Sequence, residues 1–252
     1  ETETIMMHLR MAAALLAVLI PLPVLAGSQV FSSAVEQTGL LELYTSEGCS
    51  SCPPADRWLS SLKTSPVLWK EFIPVAFHVD YWDYIGWQDR FASPEFSERQ
   101  RRFARQQSLR TVYTPGFVYN GREWRNWFAK RFFDFPQGSR PGVLTVTTMD
   151  GEARLNFRPS GSVNSTLFYT VALLGFDLQT HIKAGENAGR SLQHDFVVLD
   201  IRSGSLQPGE EGYSASTQIP HSDVVAPRYA IVVWIHQGDD ISPIQATGGY
   251  RE

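Results

Sequence analysis

One segment constrains the fold of this chain more than any other: a pair of cysteines between a predicted strand and a predicted helix. Cys49 and Cys52 are the only cysteines among the 252 residues, and residues 48–53 read Gly-Cys-Ser-Ser-Cys-Pro. Apolar runs over residues 39–45 and 72–79 predict buried strands on either side. Between them, apolar side chains at positions 55, 58, 59 and 62 follow the spacing of one helix face. This order predicts a parallel pair of strands with a right-handed crossover.

The spacing of the cysteines favours dithiol chemistry over structural stabilisation. A disulfide that closes so short a loop stabilises a protein by about 2 kcal/mol, far less than one that closes a long loop. A cysteine at a helix N-terminus has its thiolate stabilised by unpaired N–H groups and the helix dipole. We therefore predict Cys49 as the nucleophile, with its acidity set mainly by the helix terminus, and Cys52 as the resolving thiol. Pro53 and Pro54 shift the helix start toward Cys52, which weakens this effect.

The residues after the second strand predict further α/β structure. Residues 93–107 predict a helix, because Ser93 and Pro94 suit its N-cap and first position. Residues 112–121 predict a turn followed by a strand that ends in an Asn-Gly turn. Residues 124–135 predict another helix that packs on the sheet.

A change in composition predicts two units. Residues 135–142 are rich in proline and glycine and predict a linker between residues 36–136 and residues 143–252. Strand patterns dominate the second unit, beginning with a hairpin around Asp150 and Gly151. Further strands are predicted over residues 167–174, 196–202 and 228–236. The second unit is therefore expected to be antiparallel and rich in β-structure.

The first 26 residues resemble an export signal. His8 and Arg10 precede an apolar run over residues 11–20, and a small-residue site ends at Ala26. This pattern predicts a secretory signal peptide over residues 1–26. The apolar run is shorter than the roughly 20 residues that span a bilayer, so no stable membrane anchor is expected after cleavage. We expect a periplasmic or secreted protein, in a compartment where the cysteine pair can oxidise.

The charge of the chain excludes one large class of partners. The net charge is −4, and the sequence lacks the clustered lysine and arginine of a nucleic-acid-binding surface. The basic run over residues 99–105 falls in a predicted helix and indicates a solvated face. The expected partners are protein or small-molecule thiols and disulfides, with no cofactor. The sequence leaves the oligomeric state open.

Four segments together resemble a known family. Residues 43–56, 77–83, 113–115 and 185–194 are similar to DUF1223, a family of exported bacterial proteins of uncharacterised function. The motif also resembles that of thioredoxin-like proteins. The resemblance implies an α/β thioredoxin-like fold, a central mixed sheet with flanking helices, followed by the β-rich unit. It also implies that Thr114 and Pro115 form a cis-proline step beside the cysteines that contacts substrate.

The thioredoxin-like pattern places a buried acid six residues before the first cysteine, as proton acceptor for the resolving thiol. Here Leu43 occupies that position and Glu42 stands one residue further away, which in a strand reverses the face. A bulge would return Glu42 to the cysteines, so we include it as a candidate catalytic residue.

An aromatic segment over residues 80–91 follows the second predicted strand, at the sheet edge where ligands bind. Asp80, Trp82 and Asp83 are its candidate substrate-binding residues, and the alternative is that the segment only packs over the sheet. Arg190 and His194 either lie on the surface of the second unit or close over the same site.

The sequence thus predicts a thiol:disulfide oxidoreductase and leaves two alternatives open. The cysteines could form an inert disulfide in a binding module. They could also bind Cu(I) together with His78, as in thioredoxin-like copper chaperones, although those commonly separate their cysteines by three residues. His78 stands in an apolar strand, where a buried structural histidine is the simpler interpretation.

Overall fold

Strands dominate the fold in the computed structural model, which describes residues 27–125, 127 and 139–252. In chain order they are β1 (Gln29–Ser32), β2 (Gly39–Thr45), β3 (Phe72–His78), β4 (Gly116–Tyr119), β5 (Arg122–Glu123), β6 (Gly142–Met149), β7 (Glu152–Pro159), β8 (Leu167–Phe176), β9 (Leu178–His181), β10 (Ser191–His194), β11 (Val197–Ser205), β12 (Gln207–Gly209), β13 (Gly212–Gln218), β14 (Arg228–Gln237) and β15 (Asp240–Tyr250). The α-helices within these residues are α1 (Pro53–Ser61) and α2 (Pro94–Arg105). Short 3-10 helices cover Leu62–Thr64 and Asp80–Ile85. No helix in this part of the chain is both long and apolar enough to cross a membrane.

The largest sheet has eight strands in the order β15, β14, β8, β11, β3, β2, β4, β5. β2 and β3 are parallel neighbours, as the sequence predicted. In their register Leu43 lies opposite Ala76 and Thr45 lies opposite His78. β11 also runs parallel to β3, whereas its pairing with β8 is antiparallel. Because β2 and β3 point the same way, the cysteine motif and the aromatic segment leave the sheet at one edge.

A second sheet of five strands, in the order β1, β6, β7, β13, β12, packs against β8 and β14. Side chains alternate along β14: Ile231 and Val233 join the core shared with the second sheet, whereas Val232 and Trp234 join the core on the other face. The large sheet is therefore covered on both faces. A third pairing, between β9 and β10, forms a separate two-stranded ribbon.

The two α-helices confirm the sequence predictions. α1 begins at Pro53 and buries Ala55 and Leu59. α2 begins at Pro94, and the Ser93 hydroxyl accepts a hydrogen bond from the backbone N–H of Glu95 at 3.2 Å. This contact satisfies one of the free N–H groups of the first turn. The Asp150–Gly151 hairpin is also confirmed, because it joins β6 to β7.

The predicted thioredoxin-like fold with a separate antiparallel unit is wrong. Strands far outnumber helices in the described residues, and β8, β11, β14 and β15 extend the sheet that contains β2 and β3. The physical reason lies in the burial of β8 and β14 on both faces. A strand buried on both faces belongs to the middle of a covered sheet, so these strands do not form the exposed face of a small unit.

Several predictions concern residues outside the described ranges. The signal peptide over residues 1–26, the greater part of the helix over 124–135 and the first half of the linker over 135–142 lie outside them. The division into residues 36–136 and 143–252 stays a prediction. Strands from both of those segments pair within the eight-stranded sheet.

Candidate functional site

The two cysteines lie in the turn that connects β2 to α1. Both are unpaired thiols, and both are buried, with exposed fractions of 1% for Cys49 and 0% for Cys52. Cys52 is the N-cap residue of α1, and its backbone N–H donates to the carbonyl of Cys49 at 3.2 Å. This tight turn holds the side chains of the two cysteines in contact, with a hydrogen bond between them.

Hydrogen bonds make Cys49 an acidic thiol. The largest contribution is the hydrogen bond from Cys52, which together with bonds from Ser51 and Thr114 outweighs burial and lowers the pKa of Cys49 to about 6. The Ser51 hydroxyl lies 3.2 Å from the Cys49 sulfur. The sequence predicted the helix terminus as the main influence, but α1 starts only at Pro53 and neighbouring side chains supply the leading contribution instead. Cys49 is therefore largely a thiolate at neutral pH, which is the reactive form.

The pKa of Cys52 is shifted in the opposite direction. Burial raises the pKa of the Cys52 thiol, and the charges of Cys49 and Asp56 raise it further. Cys52 consequently holds a proton under conditions in which Cys49 has lost one. The asymmetry matches the predicted roles of a nucleophile followed by a resolving thiol.

Two other predicted residues, Thr114 and Trp82, join the cysteines, and Pro115 follows Thr114 in the chain. The Thr114–Pro115 peptide bond is cis. The Thr114 hydroxyl forms hydrogen bonds with the thiols of both cysteines. It also accepts a hydrogen bond from the Trp82 indole N–H at 2.7 Å. Beyond Pro115 an aromatic groove of about 370 Å³ opens, lined by Tyr113, Phe117, Trp124 and Trp127.

Glu42 is not brought to the cysteines. Its carboxylate accepts two hydrogen bonds from Arg99, at 2.7 and 2.8 Å, and one from the Tyr44 hydroxyl at 2.7 Å. Among the described contacts, none joins Glu42 to either cysteine, because it points to the face of the sheet that α2 covers. The predicted role of Glu42 as proton acceptor therefore has no geometric support.

Asp80 and Asp83 also engage the protein rather than the cysteines. The Asp80 carboxylate accepts a hydrogen bond from the Ser97 hydroxyl on α2. The Asp83 carboxylate accepts one from the backbone N–H of Asp89 at 3.2 Å. Asp80 thus ties the aromatic segment to α2, and Asp83 makes a contact within the segment. Trp82 is the one predicted residue of this segment that reaches the motif.

Sequence reasoning named His78 and His194 separately, but it missed that they join three buried acids next to the motif. We call this group the buried acid–imidazole cluster; its members are Glu47, Asp56, His78, Asp89 and His194, all at most 6% exposed. His78 Nδ1 lies 2.7 Å from the Asp89 carboxylate. Burial alone would lower the pKa of His78, but the carboxylates of Asp89, Asp56 and Glu47, with Asp89 contributing most, together outweigh it and raise that pKa to about 9. His194 of β10 lies between Glu47, at 3.4 Å, and Asp56, at 4.0 Å.

The cluster does not form a metal site. Among the described residues, no three side chains of histidine, cysteine, aspartate or glutamate are placed to hold one metal ion. In the Cu(I) alternative, His78 would join the two cysteines as a ligand. Its Nδ1 instead faces Asp89, and the charges that act on it come from Asp89, Asp56 and Glu47.

The loop between β9 and β10 forms hydrogen bonds to the backbone of the cysteine turn. The Asn187 side-chain amide donates to the carbonyls of Glu47, at 2.8 Å, and Cys49, at 2.9 Å. The Glu186 carboxylate accepts from the backbone N–H of Ser50 at 3.0 Å. The sequence singled out neighbouring residues of this loop without assigning them a place. The structure places the loop directly against the cysteine turn.

Comparisons with solved structures agree with the fold. A crystal structure of a protein from Agrobacterium tumefaciens is 23% identical, with a TM-score of 0.56 over 85% of this chain and 93% of the other. HBP35 of Porphyromonas gingivalis is 13% identical, with a TM-score of 0.57 over 86% of this chain and 76% of the other. No curated protein sequence matches the chain. The profile of a family described as a protein of unknown function matches residues 40–236, and the chain therefore belongs to that family, DUF1223.

Proposed function

We propose that this protein is an exported thiol:disulfide oxidoreductase that acts through Cys49 and Cys52. The observation that carries the proposal is the contact between two thiols of opposite character. Cys49 has a pKa lowered to about 6, whereas the pKa of Cys52 is raised by burial. A purely structural pair of cysteines needs neither shift.

The exchange proceeds in two steps. The Cys49 thiolate attacks one sulfur of a substrate disulfide, which forms a mixed disulfide and releases the first substrate thiolate. Cys52 then loses its proton and attacks the Cys49 sulfur. The Cys49–Cys52 bond forms as the second substrate thiolate leaves, so the protein is oxidised and the substrate disulfide is reduced. The reverse sequence oxidises a substrate dithiol.

Access to Cys49 requires movement of the protein surface around it. Its side chain is 1% exposed, while the neighbouring Ser50 and Ser51 are exposed. The contacts on the turn come from Trp82, Thr114 and the loop that carries Asn187. We therefore expect small disulfides to react faster than disulfides in folded proteins, and the groove beside Pro115 to take the chain of an extended substrate.

A trapping experiment tests the proposal. The Cys52→Ser variant cannot resolve a mixed disulfide, so with oxidised glutathione it accumulates one glutathione on Cys49. The matched Cys49→Ser variant retains the high-pKa thiol and reacts far more slowly. Mass spectrometry of both variants at neutral pH measures the adducts. Equal labelling of the two variants, or no labelling of either, would show that the proposal is wrong.

A further inference from the structure

Cys52 must lose its proton during the exchange reaction, and the buried acid–imidazole cluster contains carboxylates and imidazoles, which accept protons. This inference rests on the proposed function. Cys52 is 0% exposed, so bulk water does not reach its thiol. Burial raises the pKa of the Cys52 thiol and so disfavours its thiolate. Resolution of a mixed disulfide therefore needs a proton acceptor inside the protein.

Asp56 is placed to accept that proton. It stands one helical turn after Cys52 in α1, and the backbone N–H of Asp56 donates to the Cys52 carbonyl at 3.1 Å. Residues four apart on a helix project side chains on the same face. The Asp56 charge acts directly on the Cys52 thiol. Burial raises the pKa of Asp56, which makes it a stronger base than an exposed aspartate.

His194 connects Asp56 to the rest of the cluster. Its Nδ1 lies 4.0 Å from the Asp56 carboxylate and its Nε2 lies 3.4 Å from that of Glu47. Neither ring nitrogen has a hydrogen-bond partner, although the side chain is 2% exposed. Unpartnered buried polar atoms are costly and rare in native proteins. An imidazole can accept a proton at one nitrogen and release one from the other, so this histidine suits a proton carrier.

A cavity links this pair to the surface. It has a volume of about 100 Å³ and is lined by Asp56 and His194 together with the exposed side chains of Arg57, Ser191 and Gln193. Such a volume holds about three water molecules at about 30 Å³ each. Protons can therefore pass between the pair and solvent without crossing the cysteine turn.

The remaining charges of the cluster face the pair from other elements. His78 at the end of β3 and Asp89 in the aromatic segment pair with each other, and Glu47 precedes the cysteine turn. The backbone N–H of Glu47 donates to the Asp89 carboxylate at 2.8 Å, which fixes Glu47 beside His194. The charges of His78 and His194 act to lower the pKa of Asp56, whereas that of Asp89 acts to raise it. Charges of both signs from other elements therefore act on the Asp56 carboxyl.

We propose that Asp56 is the catalytic base that takes the proton of Cys52 during resolution, and that His194 carries it onward to the cavity. The Cys52 S–H bond breaks as Asp56 gains the proton. The Cys52 thiolate then forms a bond to the Cys49 sulfur, and the substrate thiolate leaves with the electrons of the broken S–S bond. Asp56 returns its proton to water through His194 and is ready for another turnover.

Separate rates for the two steps test this role. The reduced full-length protein is mixed with oxidised glutathione, quenched by acid and alkylated, and the mixed disulfide and the internal disulfide are quantified by mass spectrometry. In Asp56→Asn the formation of the mixed disulfide stays near the wild-type rate, and its resolution slows by about tenfold or more. His194→Gln slows resolution in the same direction, whereas the exposed Asp223→Asn changes neither step.

The direction of the change in the resolution rate shows whether Asp56 acts as a base or only through its charge. If Asp56 acted only through its charge, Asp56→Asn would lower the pKa of Cys52 and accelerate resolution. Faster or unchanged resolution in a variant that retains the first step therefore overturns the proposal. If the variant does not fold, the wild-type protein decides: we expect D₂O to slow the second step alone, and an equal effect on both steps overturns the proposal. If the wild-type protein forms no mixed disulfide, the proposed function fails as well.

Discussion

The loop that carries Asn187 provides a sharp test of how the motif is held closed. Asn187 is fully buried, and its amide bonds to the carbonyls of Glu47 and Cys49. Asn187→Ala leaves both carbonyls without this donor. The Cys49 carbonyl keeps its hydrogen bond from the Cys52 backbone N–H, whereas the Glu47 carbonyl loses its donor. A buried polar group without a partner costs about 1–3 kcal/mol, so we expect the free energy of unfolding to fall by about 1–3 kcal/mol. The exposed Gln193→Ala, the same type of truncation nearby, changes it by less than about 0.5 kcal/mol.

The same substitution changes the reactivity of Cys49. If the loop must open before a reagent reaches the buried thiol, a loss of about 2 kcal/mol of loop stability increases the reaction rate about thirtyfold. Urea denaturation measures the stability, and the reaction with a small aromatic disulfide reagent measures the rate. If Asn187→Ala matches Gln193→Ala in both its stability and the reactivity of Cys49, the claim that this loop closes the site is refuted.

Two further predictions concern buried ion pairs. Glu42→Gln breaks the buried pair with Arg99 and lowers the free energy of unfolding by about 3–5 kcal/mol in urea denaturation. The exposed Glu98→Gln lowers it by less than about 0.5 kcal/mol, and equal losses would contradict the burial argument. The pKa of His78 is raised from 6.5 to about 9, mainly by Asp89, so the stability from this pair is complete below pH 6.5 and is lost as the pH rises through 9. Denaturation curves from pH 6 to 10 should show this decline in the wild type and not in His78→Gln; identical pH profiles would exclude the pair as its source.

Local features of the fold were predictable because their signals are local. The apolar run of β2, the Ser93 cap and the Asp150–Gly151 turn each stand in a few consecutive residues. The pairing of β3 with β11 is different, because it joins segments far apart in sequence and no short pattern records it. The predicted fold class failed for this reason.

The candidate site divides in the same way. The cysteines and the Thr114–Pro115 step were predictable because they form recognisable motifs. The engagement of Glu42 by Arg99 was not, since the two residues are 57 positions apart and meet only in the folded chain. His194 likewise reaches Asp56 only because the β9–β10 ribbon contacts α1. A site assembled from remote segments leaves single polar residues in the sequence, and these look like ordinary surface or core positions.

The reduction potential of the cysteine pair tests the central claim most directly. The wild-type protein is equilibrated at pH 7 in glutathione buffers of graded ratio, trapped by alkylation, and its dithiol and disulfide forms are counted by mass. Because a low pKa of Cys49 stabilises the dithiol form, we expect both forms across these buffers and a potential above about −300 mV. A pair that stays wholly oxidised, with a potential below about −300 mV as in structural disulfides, would contradict the assignment of Cys49 and Cys52 as a redox couple.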